Sequence, residues 1–168
     1  GRNLFGINAE ATPGVRAWDE GKALAKSTLD RYYRKHGEYP RKVSYTFWAG
    51  EFIETEGATL AQALYMLGVA PVRDGMNRVT DLRLIPSAEL GRPRIDVVVQ
   101  TSGQLRDVAA SRLELLTKAV KMVAQSENDT CGNYVSEGTV ESERILLEKG
   151  FSPKEARELS TVRVFGGA

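Results

Sequence analysis

The run from Ile95 to Val99 constrains the fold more than any other stretch, because it is almost continuously β-branched or apolar. Such a run predicts a strand, over residues 94–100, that is covered on both faces. Segments with strand or helix periodicity flank it at 42–48, 57–67, 79–85 and 105–125. Their alternation predicts an α/β domain with a mostly parallel sheet and helices on both faces, a Rossmann-like arrangement of three layers.

Capping residues predict where several helices begin. Thr12 followed by Pro13 is typical of a helix start, because threonine caps well and proline is tolerated at the first helical position. Thr139 is expected to cap a later helix. Ser152, with a glutamate three residues on, forms a capping box. Residues 161–165 then predict a last strand.

Composition excludes several classes of function. Lys and Arg total 23 and Asp and Glu total 22, so the chain has no basic excess of the kind that nucleic-acid binding requires. No apolar run is long enough for a membrane span. The single cysteine, Cys131, allows no internal disulfide and no cysteine-based metal site. We expect a cytoplasmic protein, with residues 1–168 forming one domain of a larger chain.

Motifs for nucleotide binding and serine hydrolysis are absent from the sequence. It has no Walker A motif and no GxGxxG, so we do not expect it to bind ATP or a dinucleotide. It also has no GxSxG elbow. The one histidine, His36, lies near the end of the predicted first helix, where complementing the helix dipole is a commoner role than catalysis.

Two loops are candidates for a site, because ligands of open α/β sheets lie beyond the carboxyl ends of the strands. The first, 48–57, contains Trp48 and Glu51, with Glu54 and Glu56 close behind. One interpretation is a solvated acidic loop that precedes the next helix. The other is an aromatic side chain and a carboxylate facing a ligand, since carboxylates suit divalent cations and proton removal.

The second loop, 100–107, combines small residues with a cation. Ser102 and Gly103 would let backbone N–H groups approach a ligand, and Arg106 matches a ligand carboxylate through two parallel hydrogen bonds. Alternatively, Ser102 caps the following helix while Arg106 and Asp107 form local pairs. The residues alone leave both interpretations open.

Longer stretches run through the chain in the order and spacing of a known family. They are GEYPRKVSYTFW (37–48), TLAQALYMLGVAPVRD (59–74), RVTDLRLIP (78–86) and LGRPRIDVVVQTSGQLRD (90–107). By these blocks the sequence resembles the large subunits of class I metal chelatases, namely those of cobaltochelatase and the H subunit of magnesium chelatase.

The resemblance implies a domain that binds a tetrapyrrole, either a corrin precursor or a porphyrin, for ATP-dependent insertion of Co²⁺ or Mg²⁺. An AAA+ ATPase subunit and a subunit with an adhesion-type domain would bind ATP and Mg²⁺, so this domain would hold no cofactor itself. Insertion releases two pyrrole protons, so the resemblance implies a catalytic base, for which Glu51 is the candidate. The resemblance further implies that the substrate is bound by Trp48, Ser102, Gly103 and Arg106. It assigns no metal ligand.

Other features keep alternatives open. Arg92 and Arg94 are further candidate cations for the acidic side chains of the substrate, but they enter the strand from its opposite end, which favours a structural or interfacial role. The family typically has Trp-Gly-Thr-Asp where this chain has Trp48-Ala49-Gly50-Glu51. A paralogue that handles haem, by uptake or metal removal, is one alternative function. A structural or partner-docking module is another.

Overall fold

Helices and short strands alternate along residues 8–166, which this computed structural model describes. The helices are α1 (Val15–His36), α2 (Ala49–Thr55), α3 (Ala58–Leu67), α4 (Ser87–Leu90), α5 (Gly103–Val108), α6 (Ala110–Ala124), α7 (Tyr134–Glu148) and α8 (Pro153–Leu159). The strands are β1 (Lys42–Phe47), β2 (Val69–Arg73), β3 (Val79–Leu84), β4 (Asp96–Thr101) and β5 (Val164–Gly166).

The main sheet is parallel and has the strand order β1-β4-β5. The predicted β-branched strand is its centre, β4, and the predicted last strand is its edge, β5. β2 and β3 pair with each other as a separate antiparallel hairpin. The hairpin turn is held by Asp74, whose carboxylate accepts hydrogen bonds from the backbone N–H groups of Met76 and Arg78.

Helices cover both faces of β4, as the alternating pattern predicts. Val97 and Val99 are fully buried in the main apolar core, which also contains the inner faces of α3 and α6. Asp96 points to the other face, beneath α7, where a Cβ on Gly138 would lie 3.0 Å from its Oδ2. Gln100 remains exposed on that face. The second helical layer therefore covers the amino half of β4 more fully than the carboxyl half.

α3 is the central helix of the core, and α1 packs directly against it. Nearly every side chain of α3 is buried. α1 turns Ala17, Gly21, Ala25 and Leu29 inward, at a spacing of four residues. Gly21 allows the closest approach, because a Cβ there would lie 2.5 Å from Cβ of Ala61. The small residues of α1 thus set its distance from α3.

The predicted start of the first helix is wrong by two residues. The Thr12 hydroxyl donates to the carbonyl of Ala9 at 2.5 Å, and Thr12 ends a short 3₁₀ turn over Ala9–Ala11. The N-cap of α1 is instead Gly14. Thr12 therefore closes the preceding turn and lies two residues before the N-cap position of α1.

The single helix predicted over 105–125 is in fact two. Ser102 caps α5, and the backbone leaves helical angles at Ala109 (φ −138°, ψ 35°) before α6 begins. Just after this break, Arg112 is buried and donates to the carbonyls of Thr12 and Val79 at 2.8 and 2.9 Å. The break between α5 and α6 therefore accompanies the long-range contact of Arg112, which the local sequence does not predict.

Near the end of the chain, one predicted cap is wrong and one is confirmed. α7 begins five residues before Thr139, because Asn133 accepts from the backbone N–H of Ser136 at 3.0 Å and caps it. The hydroxyl of Thr139 instead accepts a bond from Arg163. The Ser152 capping box forms as predicted, with both of its hydrogen bonds present.

Candidate functional site

The two candidate segments meet at one edge of the sheet. β1 and β4 are neighbouring parallel strands, and Phe47 lies opposite Thr101 at their carboxyl ends. Trp48 and Ser102 therefore leave adjacent strands side by side. This placement follows the general rule for ligand sites in parallel sheets, and it brings an aromatic residue from one strand next to the turn that follows the other.

The first segment, predicted to be a loop over 48–57, is largely the helix α2. Ala49 and Phe52 are buried, and the backbone N–H of Phe52 bonds the carbonyl of Trp48 at 2.9 Å. These two apolar residues, three positions apart, attach α2 to the core. Trp48 occupies the N-cap position and leaves 58% of its surface exposed. An exposed indole at a strand end provides a flat apolar surface.

Glu51 lies in the first turn of α2 with its side chain at the surface. Its Oε1 accepts a hydrogen bond of 2.6 Å from the hydroxyl of Thr59 in α3. Trp48, Glu51 and Thr59 line a cleft of only about 10 Å³. A ligand larger than a water molecule would therefore lie across this surface and not within a pocket.

Thr59 is a site residue that the sequence analysis did not identify. It contacts Glu51 from another helix, eight positions along the chain. Periodicity describes neighbours within one helix or one strand, so it does not predict a contact between Glu51 in α2 and Thr59 in α3. The contact depends on how α2 folds back onto α3, which no local sequence signal shows.

In the second segment, Ser102 has the capping role that the analysis left open. Its hydroxyl oxygen accepts from the backbone N–H of Leu105 at 3.1 Å, and Gly103 opens α5. Arg106 is exposed and donates from Nη2 to the carbonyl of Gly166 at 3.0 Å. Arg106 thus connects α5 to the carboxyl end of β5 and remains at the same edge of the sheet as Trp48.

Arg106 also lines an open groove of about 370 Å³ between α6 and the segment that joins α8 to β5. Leu113 and Val164 contribute apolar surface to it, while Glu114 and Lys121 supply charges of both signs. The groove continues the carboxyl edge of the sheet around its β5 side. Its mixed lining suits an amphipathic ligand better than a purely anionic one.

Arg92 and Arg94 lie at the opposite edge and do not supply free cations to the candidate site. Arg94 is 2% exposed, pairs with Asp129 at 2.7 Å and donates to the carbonyls of Gly68 and Ile85 at 2.6 Å. Arg92 is also buried and donates to backbone carbonyls at the end of α3. The terminal carbonyls of a helix lack intrahelical partners, and the two guanidinium groups satisfy them.

The remaining titratable groups of residues 8–166 do not form a second centre. His36 is the last residue of α1, where its ring lies 4.2 Å from that of Tyr32, and two basic residues precede it in the last turn. This position matches the helix-dipole role. Between Asn8 and Gly166, no group of three or more His, Cys, Asp and Glu residues is arranged to hold a metal ion. Within the same range, no helix has the length and apolarity to cross a membrane.

Comparison with known proteins places the whole chain in one family. The family model described as CobN/Magnesium Chelatase matches residues 1–168. The aerobic cobaltochelatase subunit CobN of a Sinorhizobium species is 35% identical over 167 residues, and the chloroplastic magnesium-chelatase subunit ChlH of Oryza sativa subsp. indica is 38% identical over 169. These matches cover 99% and 100% of this chain but 13% and 12% of the relatives.

A solved structure agrees with the sequence matches. The catalytic subunit of cobaltochelatase from Mycobacterium tuberculosis superposes with a TM-score of 0.84 at 38% identity, over 94% of this chain and 13% of that one. The chain thus spans about an eighth of the length of these relatives. Sequence and fold together confirm the resemblance: the chain belongs to the CobN/magnesium chelatase family.

Proposed function

We propose that this chain is one domain of a chelatase large subunit and binds a tetrapyrrole, either a corrin precursor or a porphyrin, at the carboxyl edge of its sheet. The complete subunit would insert a divalent ion, Co²⁺ or Mg²⁺, in an ATP-dependent reaction. Family membership supports the class of reaction. The observation that carries the choice of site is the parallel register that sets Trp48 beside Ser102.

Each side chain at this edge has a chemical role in the proposal. The exposed Trp48 offers a flat surface on which a planar macrocycle stacks. Arg106 binds a carboxylate side chain of the macrocycle, which its charge and exposure allow. The small residues Ser102 and Gly103 would let the macrocycle approach the backbone closely. The surface position of the small Glu51 cleft agrees with a large flat ligand that lies across the edge.

Glu51 is proposed as the base that accepts a pyrrole proton during metal insertion. The oxygen atoms of a carboxylate can accept such a proton when they lie within hydrogen-bond reach of it. The hydrogen bond from Thr59 fixes one of its oxygens and so orients the carboxylate. The metal is a substrate in this reaction, and we assign no protein ligand to it.

The energy for the reaction would come from other subunits. This chain has no Walker A motif, so ATP and its Mg²⁺ would bind to an AAA+ partner that acts with an adhesion-type subunit. All three would work in the cytoplasm, and this domain would hold no cofactor of its own. Titration with metal-free and metal-loaded tetrapyrroles would separate insertion from the alternative of a haem-handling paralogue.

Apolar residues exposed around the groove favour a second candidate function, which is docking of another domain or subunit. Leu159, Val162 and Phe165 leave 45%, 40% and 44% of their surfaces exposed on the α8–β5 side of the molecule. Neighbouring exposed apolar side chains are typical of interaction surfaces. In that function Glu51 and Arg106 would have no chemical role.

Metal insertion by the full-length protein with its partner subunits separates the two candidates. Glu51→Gln preserves the shape of the side chain and its bond to Thr59 but removes the base, so insertion should slow by about 10²-fold or more. Glu54→Gln, a substitution of another exposed carboxylate on α2, is the matched control and should leave the rate unchanged. Equal rates for both variants would exclude Glu51 as the base and favour docking.

A further inference from the structure

Arg92 differs from the other buried arginines in its lack of a carboxylate partner. Four arginine side chains are buried in the described part of the chain. Three of them form ion pairs: Arg94 with Asp129 at 2.7 Å, Arg112 with Glu10 at 3.0 Å and Arg163 with Asp96 at 2.8 Å. Arg92 has no carboxylate within salt-bridge distance among residues 8–166, and the sequence outside that range contains no Asp or Glu.

Backbone carbonyls satisfy only part of the Arg92 guanidinium. Nη1 donates to the carbonyls of Met66 and Pro93 at 2.9 Å, and Nη2 donates to that of Tyr65 at 2.6 Å. A guanidinium has five N–H groups, so Nε–H and one Nη2–H have no acceptor within residues 8–166. Burial lowers the pKa of Arg92 to about 10. A buried charge of this kind is costly unless an anion pairs with it.

A second unpartnered polar atom lies in the field of the same guanidinium. The hydroxyl of Tyr45 is buried and has no hydrogen-bond partner in the described structure. Burial raises the pKa of Tyr45, while the positive charge of Arg92 opposes that rise. This region therefore contains one buried hydroxyl without a partner near a guanidinium that is bound by backbone carbonyls but pairs with no carboxylate of the described residues.

An open cleft leads to Arg92 from the surface. Its volume is about 210 Å³, and Lys26, Asp30 and Tyr39 lie on its walls together with Tyr65 and Arg92. The Arg92 guanidinium carbon lies 5.0 Å from the centre of the Tyr65 ring, and the Lys26 ammonium lies 5.8 Å from the same centre. Two cations thus share one aromatic ring at this cleft, and among the described residues that line it Asp30 alone carries a carboxylate.

We propose that this cleft binds a carboxylate, supplied either by a small organic acid or by an Asp or Glu side chain of the full-length protein outside residues 1–168. The two oxygens of a carboxylate match two N–H groups of one guanidinium, and the nearby Lys26 adds a second attraction. The cleft lies beside the segments that lead into β1 and β4, at the amino edge of the sheet. It is therefore separate from the proposed tetrapyrrole edge, and each proposal can fail without the other.

Thermal unfolding of the full-length protein in sodium acetate, compared with sodium chloride at equal ionic strength, tests the free-acid source. Binding to the folded state should raise the midpoint temperature in a saturable way. Lys26→Met should weaken the apparent acetate affinity about two- to fivefold, and Asp30→Asn should strengthen it by a similar factor, as expected for exposed charges. Lys22→Met, one turn away on α1, is the control and should have no effect. All three substitutions leave the buried bonds of Arg92 intact.

A density map of the full-length protein tests the second source. If acetate has no effect and the map shows an Asp or Glu carboxylate bonded to Arg92, the cleft takes a carboxylate from the protein itself, as proposed. If acetate has no effect and the map shows no carboxylate in the cleft, the proposal is wrong. It is equally wrong if acetate stabilises the Lys26→Met and Asp30→Asn variants to the same degree as the unchanged protein.

Discussion

Replacing Gly21 with alanine tests the contact between α1 and α3, on which the core depends. Alanine favours a helix over glycine by about 0.5–1 kcal/mol, so propensity alone would make the variant more stable. The structure predicts the opposite. The new Cβ would lie 2.5 Å from Cβ of Ala61, 3.0 Å from the carbonyl oxygen of Ala58 and 3.1 Å from the backbone nitrogen of Gln62.

The size of the effect follows from the kind of atoms that the new methyl group meets. One is a Cβ and two belong to the backbone, so no side-chain rotation relieves the contact and the helices must separate. Overpacking costs about 1–3 kcal/mol, and we expect the upper end because these atoms are fixed. After the gain in propensity is subtracted, the free energy of unfolding should fall by about 2 kcal/mol.

Urea and thermal unfolding of matched variants measure this difference. For a chain of this size, the loss corresponds to a midpoint about 4–8 °C lower. Gly50→Ala is the control, because a Cβ at Gly50 in α2 meets no atom within 4 Å, and it should be neutral or slightly stabilising. Adding Ala61→Gly to Gly21→Ala should recover part of the loss. A Gly21→Ala variant as stable as the unchanged chain would refute the close packing of α1 on α3.

Three further predictions concern polar contacts. Arg94→Met should lower the free energy of unfolding by about 3–5 kcal/mol, because it leaves the carboxylate of Asp129 buried without its cation. Urea unfolding measures this loss, and Arg78→Met, which removes an exposed ion pair, is the control. A smaller loss for Arg94→Met than for Arg78→Met would contradict the prediction. Ser152→Ala should cost about 1 kcal/mol through loss of the α8 cap, and an unchanged urea midpoint would argue against the capping box. The hydrogen bond from the backbone N–H of Arg78 lowers the pKa of Asp74 in the folded protein. The ionised carboxylate therefore adds stability at pH values above the pKa of an unfolded aspartate. That stability is lost as the pH falls through the lower pKa of the folded state. NMR titration of the carboxyl carbon of Asp74 should therefore show a midpoint below that of an unfolded aspartate, and a normal midpoint would contradict the hairpin geometry.

The sequence predicted those parts of the fold that depend on local pattern. The apolar run around Val97 and the alternation of strands with helices predicted the central parallel strand and the α/β class, and both are confirmed. Residue types that favour caps predicted Ser152 correctly. The family was also predicted correctly from blocks of residues, because order and spacing along the whole chain are more specific than any single motif.

The errors arose where distant residues decide local structure. The acidic segment 48–57 was predicted to be a loop, but burial of Phe52 against the core holds most of it as α2. The break at Ala109 accompanies the burial of Arg112 against carbonyls from two distant segments. The end of the strand at which Arg94 enters favoured a structural or interfacial role for it, but its partners could not be predicted, because they are backbone carbonyls that lie 9 and 26 residues away. No pattern within one element contains that information.

The chemical roles at the candidate site remain predictions that the fold alone does not decide. The sequence predicted that the two segments would lie at carboxyl ends of strands, and the register of β1 with β4 places them side by side. Binding and turnover must be measured separately, because stacking and charge pairing determine affinity while the base determines rate.

Titration of the full-length protein with tetrapyrroles, followed by absorbance, measures whether the carboxyl edge of the sheet binds the macrocycle. If this edge binds the tetrapyrrole, Trp48→Leu and Arg106→Met should each weaken binding by about tenfold, through loss of one stacking contact or one charged hydrogen bond. Arg31→Met, which removes an exposed cation from α1, should bind like the unchanged protein. Equal affinity of all four proteins for every tetrapyrrole tested would contradict the assignment of this edge as the binding surface.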